Sequence, residues 1–79
     1  MIAKCRIGDM VTLQKSGFPV VLRDGPGFSY NRTCEMSPTD LAIVLAGDIG
    51  HGMHIWIQLL VASNGKKGWV PETILIVPN

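Results

Sequence analysis

The sequence predicts an all-β fold, a small closed barrel of five to six short strands with a single 3₁₀ turn before the last one. Three observations predict it. Nine glycines and five prolines cut the chain into apolar runs of about four to eight residues, the length of strands. Nowhere do apolar residues recur at helical spacing over about eleven positions between proper caps. The chain has 79 residues, so residues 1–79 read as one domain, and closure is the natural way for so few strands to hide their edges.

The elements follow in order. Gly8-Asp9 precedes Met10–Gln14, the first strand. Lys15-Ser16-Gly17 turns the chain into Phe18–Arg23, whose Pro19-Val20-Val21-Leu22 is apolar and β-branched. Asp24-Gly25-Pro26-Gly27 is a loop signal in which the glycines are expected to supply positive φ while Pro26 fixes its own. Phe28–Pro38 is polar and irregular, with two aromatics. Leu41–Ala46 has the propensity for a helix capped by Asp40, but its short length and the flanking Gly47 favour a strand that breaks over Gly47–Gly52. Ile55–Ala62 follows, and Ser63-Asn64-Gly65 is expected to close a hairpin with primed geometry. Lys67–Val70 returns, Pro71-Glu72-Thr73 allows one 3₁₀ turn, and Ile74–Val77 is the closing strand.

Composition excludes several classes of function. At 47% hydrophobic and 16% charged the chain is no disordered tail. Seven basic and six acidic residues give a net charge of +1 and are spread along the chain, without the basic footprint of a nucleic-acid binder. The runs Leu41–Gly47 and Ile55–Leu60 are far shorter than the roughly 20 apolar residues of a membrane span. Met1–Asp9 lacks the apolar core of a signal peptide, so a cytoplasmic location is expected. Cys5 and Cys34 are then two reduced, small hydrophobes rather than a disulfide.

No constellation points to catalysis. Cys34 with a histidine, or Glu35 with Asp40, lacks any context that would activate a nucleophile or supply an oxyanion hole. His51-Gly52-Met53-His54 has the wrong rigidity for a preorganised zinc site and reads as a solvated hairpin tip. Gly25-Pro26-Gly27 is not a phosphate loop, because no lysine follows and no helix begins there. No enzyme activity, metal or cofactor is expected.

Two separated stretches resemble a known family. Leu22-Arg23-Asp24-Gly25-Pro26-Gly27-Phe28-Ser29-Tyr30 is similar to the Leu-Asn-Val-Arg-x-Gly-Pro-x-x-x-Tyr-like segment that opens bacterial-type SH3 domains. Trp56-Ile57-Gln58-Leu59 and Asn64-Gly65-Lys66-Lys67-Gly68-Trp69-Val70-Pro71 resemble that family's Trp-x-x-Val and Asn-Gly-x-x-Gly-Trp-Val ending. The likeness spans roughly residues 10–77. It implies an SH3-like barrel whose groove lies between the long loop, the Trp that begins a middle strand, and the 3₁₀ turn. Carried over, that implicates Phe28, Tyr30, Trp56 and Pro71 as binding residues. Two departures point away from polyproline ligands: Ile74 stands where an aromatic is usual, and only Asp24 and Glu35 supply acid near the loop.

The parity of the fifth apolar run refines this expectation. Ile57, Leu59 and Val61 share one face, and Trp56 shares the other with Gln58. Trp56 is therefore expected to be the partly exposed aromatic, and Trp69, beside a Gly68 corner, the more buried one. Leu41–Ala46, Leu59–Ala62 and Ile74–Val77 are apolar on both parities, which requires something to cover the second face. The expected function is a non-catalytic protein- or peptide-binding or scaffolding module that also associates with itself. The alternatives are a purely self-associating structural protein, or cell-wall peptide binding if the chain is exported.

Overall fold

The structure is a computed structural model that describes residues 5–13 and 19–76. Among these, seven strands and one 3₁₀ turn follow in the order β1 (Met10–Leu13), β2 (Val20–Arg23), β3 (Arg32–Met36), β4 (Ala42–His51), β5 (His54–Val61), β6 (Lys67–Pro71), the turn Glu72–Ile74, and β7 (Leu75–Ile76). No helix is long and apolar enough to cross a membrane among the described residues. The expected turn at Lys15-Ser16-Gly17, with Gln14, Phe18 and Val77, lies outside them.

All strand pairs are antiparallel, in the order β3-β2-β6-β5-β4-β1-β7. This corrects the expected closed barrel, because β3 and β7 end the sheet and no pairing joins them among the described residues. The hairpin of β2 and β3 is tied to the remainder at a single register pair, Arg23 opposite Trp69. The sheet nevertheless rolls over itself. Its smallest extent is 21 Å, about twice the thickness of a flat sheet with its side chains. One core gathers inward residues from every strand: Val11, Leu13, Leu22, Met36, Ala42, Val44, Ile57, Leu59, Val61, Val70 and Leu75.

Local chemistry explains where the strands depart from expectation. β3 falls in the stretch expected to be irregular. Arg32, Thr33 and Glu35 are exposed, Met36 is in the core and Cys34 packs half-buried against it, so this edge strand offers one short apolar alternation among polar residues, weaker than the runs that betray the others. Its charges also suit an unpaired edge. β4 does not break at Gly47. It runs ten residues and absorbs the glycine as shifts of register against β5 between Val44 and Ala46 and between Ala46 and Ile49. Such bulges bend a strand, and the bent β4 pairs with β1 at one end and β5 along its length.

The β5–β6 reversal is a hairpin as expected, but its loop is longer than a two-residue primed turn. The Val61 N–H donates to the Lys66 carbonyl (2.8 Å) and the Gly65 N–H to the Val61 carbonyl (2.9 Å). Asn64 Oδ1 accepts from the Lys66 N–H at 2.8 Å, and Gly65 takes the left-handed conformation at φ +69°.

Gly68 marks the place where β6 crosses β2. A Cβ there would lie 2.5 Å from Leu22 Cβ, 2.8 Å from Thr33 Oγ1 and 3.1 Å from the Arg23 carbonyl oxygen. Thr33 uses the proximity, since its hydroxyl donates to the Lys67 carbonyl at 3.1 Å.

Candidate functional site

A cleft of about 280 Å³ opens on the outer face of the sheet, lined by Val20, Val21, Arg23, Phe28, His54, Trp56, Pro71, Thr73 and Ile74. Three elements converge to build it. β5 turns Ile57, Leu59 and Val61 into the core, so the alternation of the strand sends Trp56 to the opposite face. Pro71 lies directly across from Trp56 in the register of β5 and β6. The 3₁₀ turn that begins after Pro71 then carries Thr73 and Ile74 to the same side.

The loop from Asp24 to Tyr30 supplies the third wall, and its own hydrogen bonds fix its shape. The Asp24 N–H donates to the Asn31 carbonyl (2.9 Å), and the Asn31 N–H donates to Asp24 Oδ1 (3.1 Å). Within the loop the Gly27 N–H donates to the Gly25 carbonyl (2.9 Å) and the Tyr30 N–H to the Gly27 carbonyl (3.3 Å). Arg23 Nη1 ties the far end by donating to the Tyr30 carbonyl at 2.9 Å. The effect is to hold Phe28 over Trp56, where the rings meet edge to face at 4.9 Å with 75° between their planes. Phe28 meets His54 in the same way at 5.4 Å, and the Arg23 guanidinium carbon lies 5.8 Å from the Phe28 ring centre.

Phe28, Trp56 and Pro71 thus meet at one cleft, and Tyr30 does not join them. The Tyr30 ring lies against Gly25, where any Cβ would overlap its Cδ1, Cε1 and Cγ atoms. It pins the loop shut. Gly25 is needed for this close approach and not for positive φ, which among the described glycines occurs only at Gly8, Gly52 and Gly65.

The expected contrast between the tryptophans is reversed. Trp56 is on the outer face as its parity requires, but it is only 1% exposed, because Phe28, His54 and Pro71 cover that face locally. Trp69 is half-buried. It flanks Gln58 and Arg23 in register, while its neighbour Val70 takes the inward position. His54 is no solvated hairpin tip either. It is the first residue of β5, half-buried in the aromatic group, and its Nδ1 is buried.

Two ring nitrogens of this group, Trp56 Nε1 and His54 Nδ1, are buried with no hydrogen-bond partner among the described residues. Such atoms are uncommon in native interiors and each costs free energy until it is satisfied. Among the described residues, Arg23 is the charged side chain of the lining and no carboxylate lines the cleft. Asp24 accepts from the loop backbone instead. Glu35 is exposed on β3, opposite Val21. Arg23, His54 and the valines of β2 escaped the sequence reading. The pairing of Arg23 with Trp69 could not be seen before the register of β2 was known.

Elsewhere, Cys5 is buried at the core and Cys34 half-buried on β3, with no disulfide between them. No group of three or more metal-ligating side chains occurs among the described residues. Comparison with known proteins found no matching protein family, curated protein or solved structure.

Proposed function

We propose that the chain is a non-catalytic binding module of the SH3-like kind whose cleft receives an extended peptide segment. The single observation that carries this reading is the buried Trp56 Nε1–H, without a partner among the described residues, on a ring that lines a largely apolar cleft. A peptide carbonyl supplies the missing acceptor, and an apolar side chain or proline ring fills the space between Phe28, Pro71 and Ile74. This is the usual economy of a ligand site, apolar walls with a few polar groups that fix orientation. The order of elements supports the SH3-like assignment: a glycine-rich loop after β2, a Trp near the start of β5, and a 3₁₀ turn before the last strand.

The covering ring makes binding a two-part event. Phe28 is 59% exposed while hydrogen bonds from the Asp24, Gly27, Tyr30 and Asn31 N–H groups hold the loop, so its side chain can rotate without the loop opening. Rotation bares Trp56 Nε1 and replaces one edge-to-face contact with the ligand. The absence of a lining carboxylate disfavours ligands that rely on an arginine beside a proline helix.

Selection of a random decapeptide display library on the intact domain tests the proposal. Wild type is expected to enrich a consensus that Trp56→Phe, which keeps the apolar ring and removes the N–H, enriches poorly or loses. Equal enrichment by both proteins would contradict it.

A further inference from the structure

We propose that a second copy of this chain covers the outer face of β1 and the first half of β4, giving a two-fold dimer that leaves both peptide clefts open. The register sets Met10 of β1 opposite Ile43 of β4, and Ile43 opposite Leu60 of β5. Cross-strand partners share a face, so these three side chains form one row across the sheet. Leu41 lies two residues before Ile43 on the same parity. Ile7 approaches beside them, because the next residue, Gly8, donates its N–H to the Val44 carbonyl at 2.8 Å. Ile7, Met10, Leu41 and Ile43 are 76%, 50%, 42% and 39% exposed, whereas the alternate residues Val11, Ala42 and Val44 are buried in the core. A solvated sheet face normally carries polar residues at such outward positions.

The uncovered face is narrower than the sequence implied and differently placed. Leu60 is half-buried and Ile74 belongs to the cleft, while Met10 and Ile7 join the patch from outside the three apolar runs.

The area favours a second copy. The four side chains expose about 400 Å² in all, within the size range at which a patch on a monomer is commonly an interaction site. Interfaces are roughly 60% apolar, so this patch with a polar margin amounts to about 700 Å² from each copy. That is close to the ~800 Å² per partner of a stable interface. Two copies of one apolar row match each other without any complementary charge. A two-fold axis along the strands also reverses the row, so that Lys67, the cross-strand neighbour of Leu60, meets the Met10 end of the other copy rather than its own equivalent. The net charge of +1 adds little repulsion.

The cleft is built from β2, the 3₁₀ turn, the Pro71 end of β6 and the His54–Trp56 end of β5, whereas the row crosses β5 and β6 at their opposite ends, at Leu60 and Lys67. A dimer formed here presents two clefts, which gives avidity for a partner that carries repeated peptide segments.

Sedimentation velocity of the full chain from low to high micromolar concentration tests the inference, alongside Ile43→Lys and Met10→Lys. Wild type is expected to sediment as a dimer, and both variants as monomers with an unchanged far-ultraviolet circular dichroism spectrum. If Ile43→Lys does not fold, Met10→Lys, at the more exposed position, gives the result alone. A wild type that stays monomeric throughout overturns the inference. So does a dimer that survives the substitutions, because it is then built on another face, such as the β3 edge. The peptide selection described above reads the cleft separately, and its outcome does not depend on the state of association.

Discussion

Replacing Gly68 by alanine puts a single methyl group into the crossing of β6 over β2. The new Cβ would lie 2.5 Å from Leu22 Cβ, more than an ångström inside the roughly 3.5–4.0 Å at which carbon atoms rest. Leu22 cannot retreat, because it is fully buried in the core. The Arg23 carbonyl at 3.1 Å is backbone, so the strain is relieved only by moving β6 away from β2. That movement breaks the lone Arg23–Trp69 register pair and the hydrogen bond from the Thr33 hydroxyl to Lys67. Overpacking costs about 1–3 kcal/mol, the lost hydrogen bond adds about 1 kcal/mol, and alanine returns about 0.4–1 kcal/mol by restricting the unfolded chain. The net loss is about 1–4 kcal/mol, centred on about 2 kcal/mol, or about 10–15 °C in Tm at the centre for a domain of this size. Gly47→Ala is the control. Its Cβ would meet Ile57 Cδ1 at 2.6 Å; Ile57 is buried as well, but the contact is with the far end of its side chain and not with a Cβ or backbone atom, so a smaller loss of about 1 kcal/mol is expected. Urea unfolding followed by circular dichroism measures both. Equal losses at the two glycines would refute the crossing as described.

Other perturbations address the aromatic group. Trp56→Ala is expected to cost about 3–5 kcal/mol and Trp69→Ala clearly less, as measured by urea unfolding; the opposite ranking would mean that the two burials are misassigned. Trp56→Phe is expected to leave stability within about 1 kcal/mol of wild type, because it removes an unpaired donor while keeping an apolar ring. Phe28→Ala in a Trp69→Phe background should increase acrylamide quenching of Trp56 and shift its emission to the red. Since Phe28 is less than half buried, the accompanying stability loss should be about 1–2 kcal/mol. Unchanged quenching would mean that Phe28 does not cover Trp56.

Much of the fold was legible because period-two patterning and turn chemistry are local. The inward set Ile57, Leu59 and Val61, the 3₁₀ turn after Pro71, and the reversal at Asn64-Gly65 each follow from a few adjacent residues. β3 was not legible, since Cys34 and Met36 are its whole apolar alternation and Arg32, Thr33 and Glu35 face water around them. The continuation of β4 through Gly47 depends on bulges, which only the pairing with β5 reveals. At the cleft, the motif and parity placed Phe28, Trp56 and Pro71 near one another, and all three line it. The burial of Trp56 was not legible, because parity gives the face of a side chain and says nothing of what a distant loop lays over it. Tyr30 misled for a related reason. Its place in the loop motif is beside Phe28, but its ring lies over Gly25, still 44% exposed and outside the cleft.

The central claim is that a peptide bound in the cleft satisfies Trp56 Nε1–H, and the indole N–H resonances in a ¹⁵N–¹H spectrum report on it directly. Titration with a selected peptide is expected to move the Trp56 indole signal downfield, as a new hydrogen bond requires, with only a minor change at Trp69. A bound peptide that leaves the Trp56 indole unmoved, or that shifts only the amides of β1 and the first half of β4, would contradict the claim.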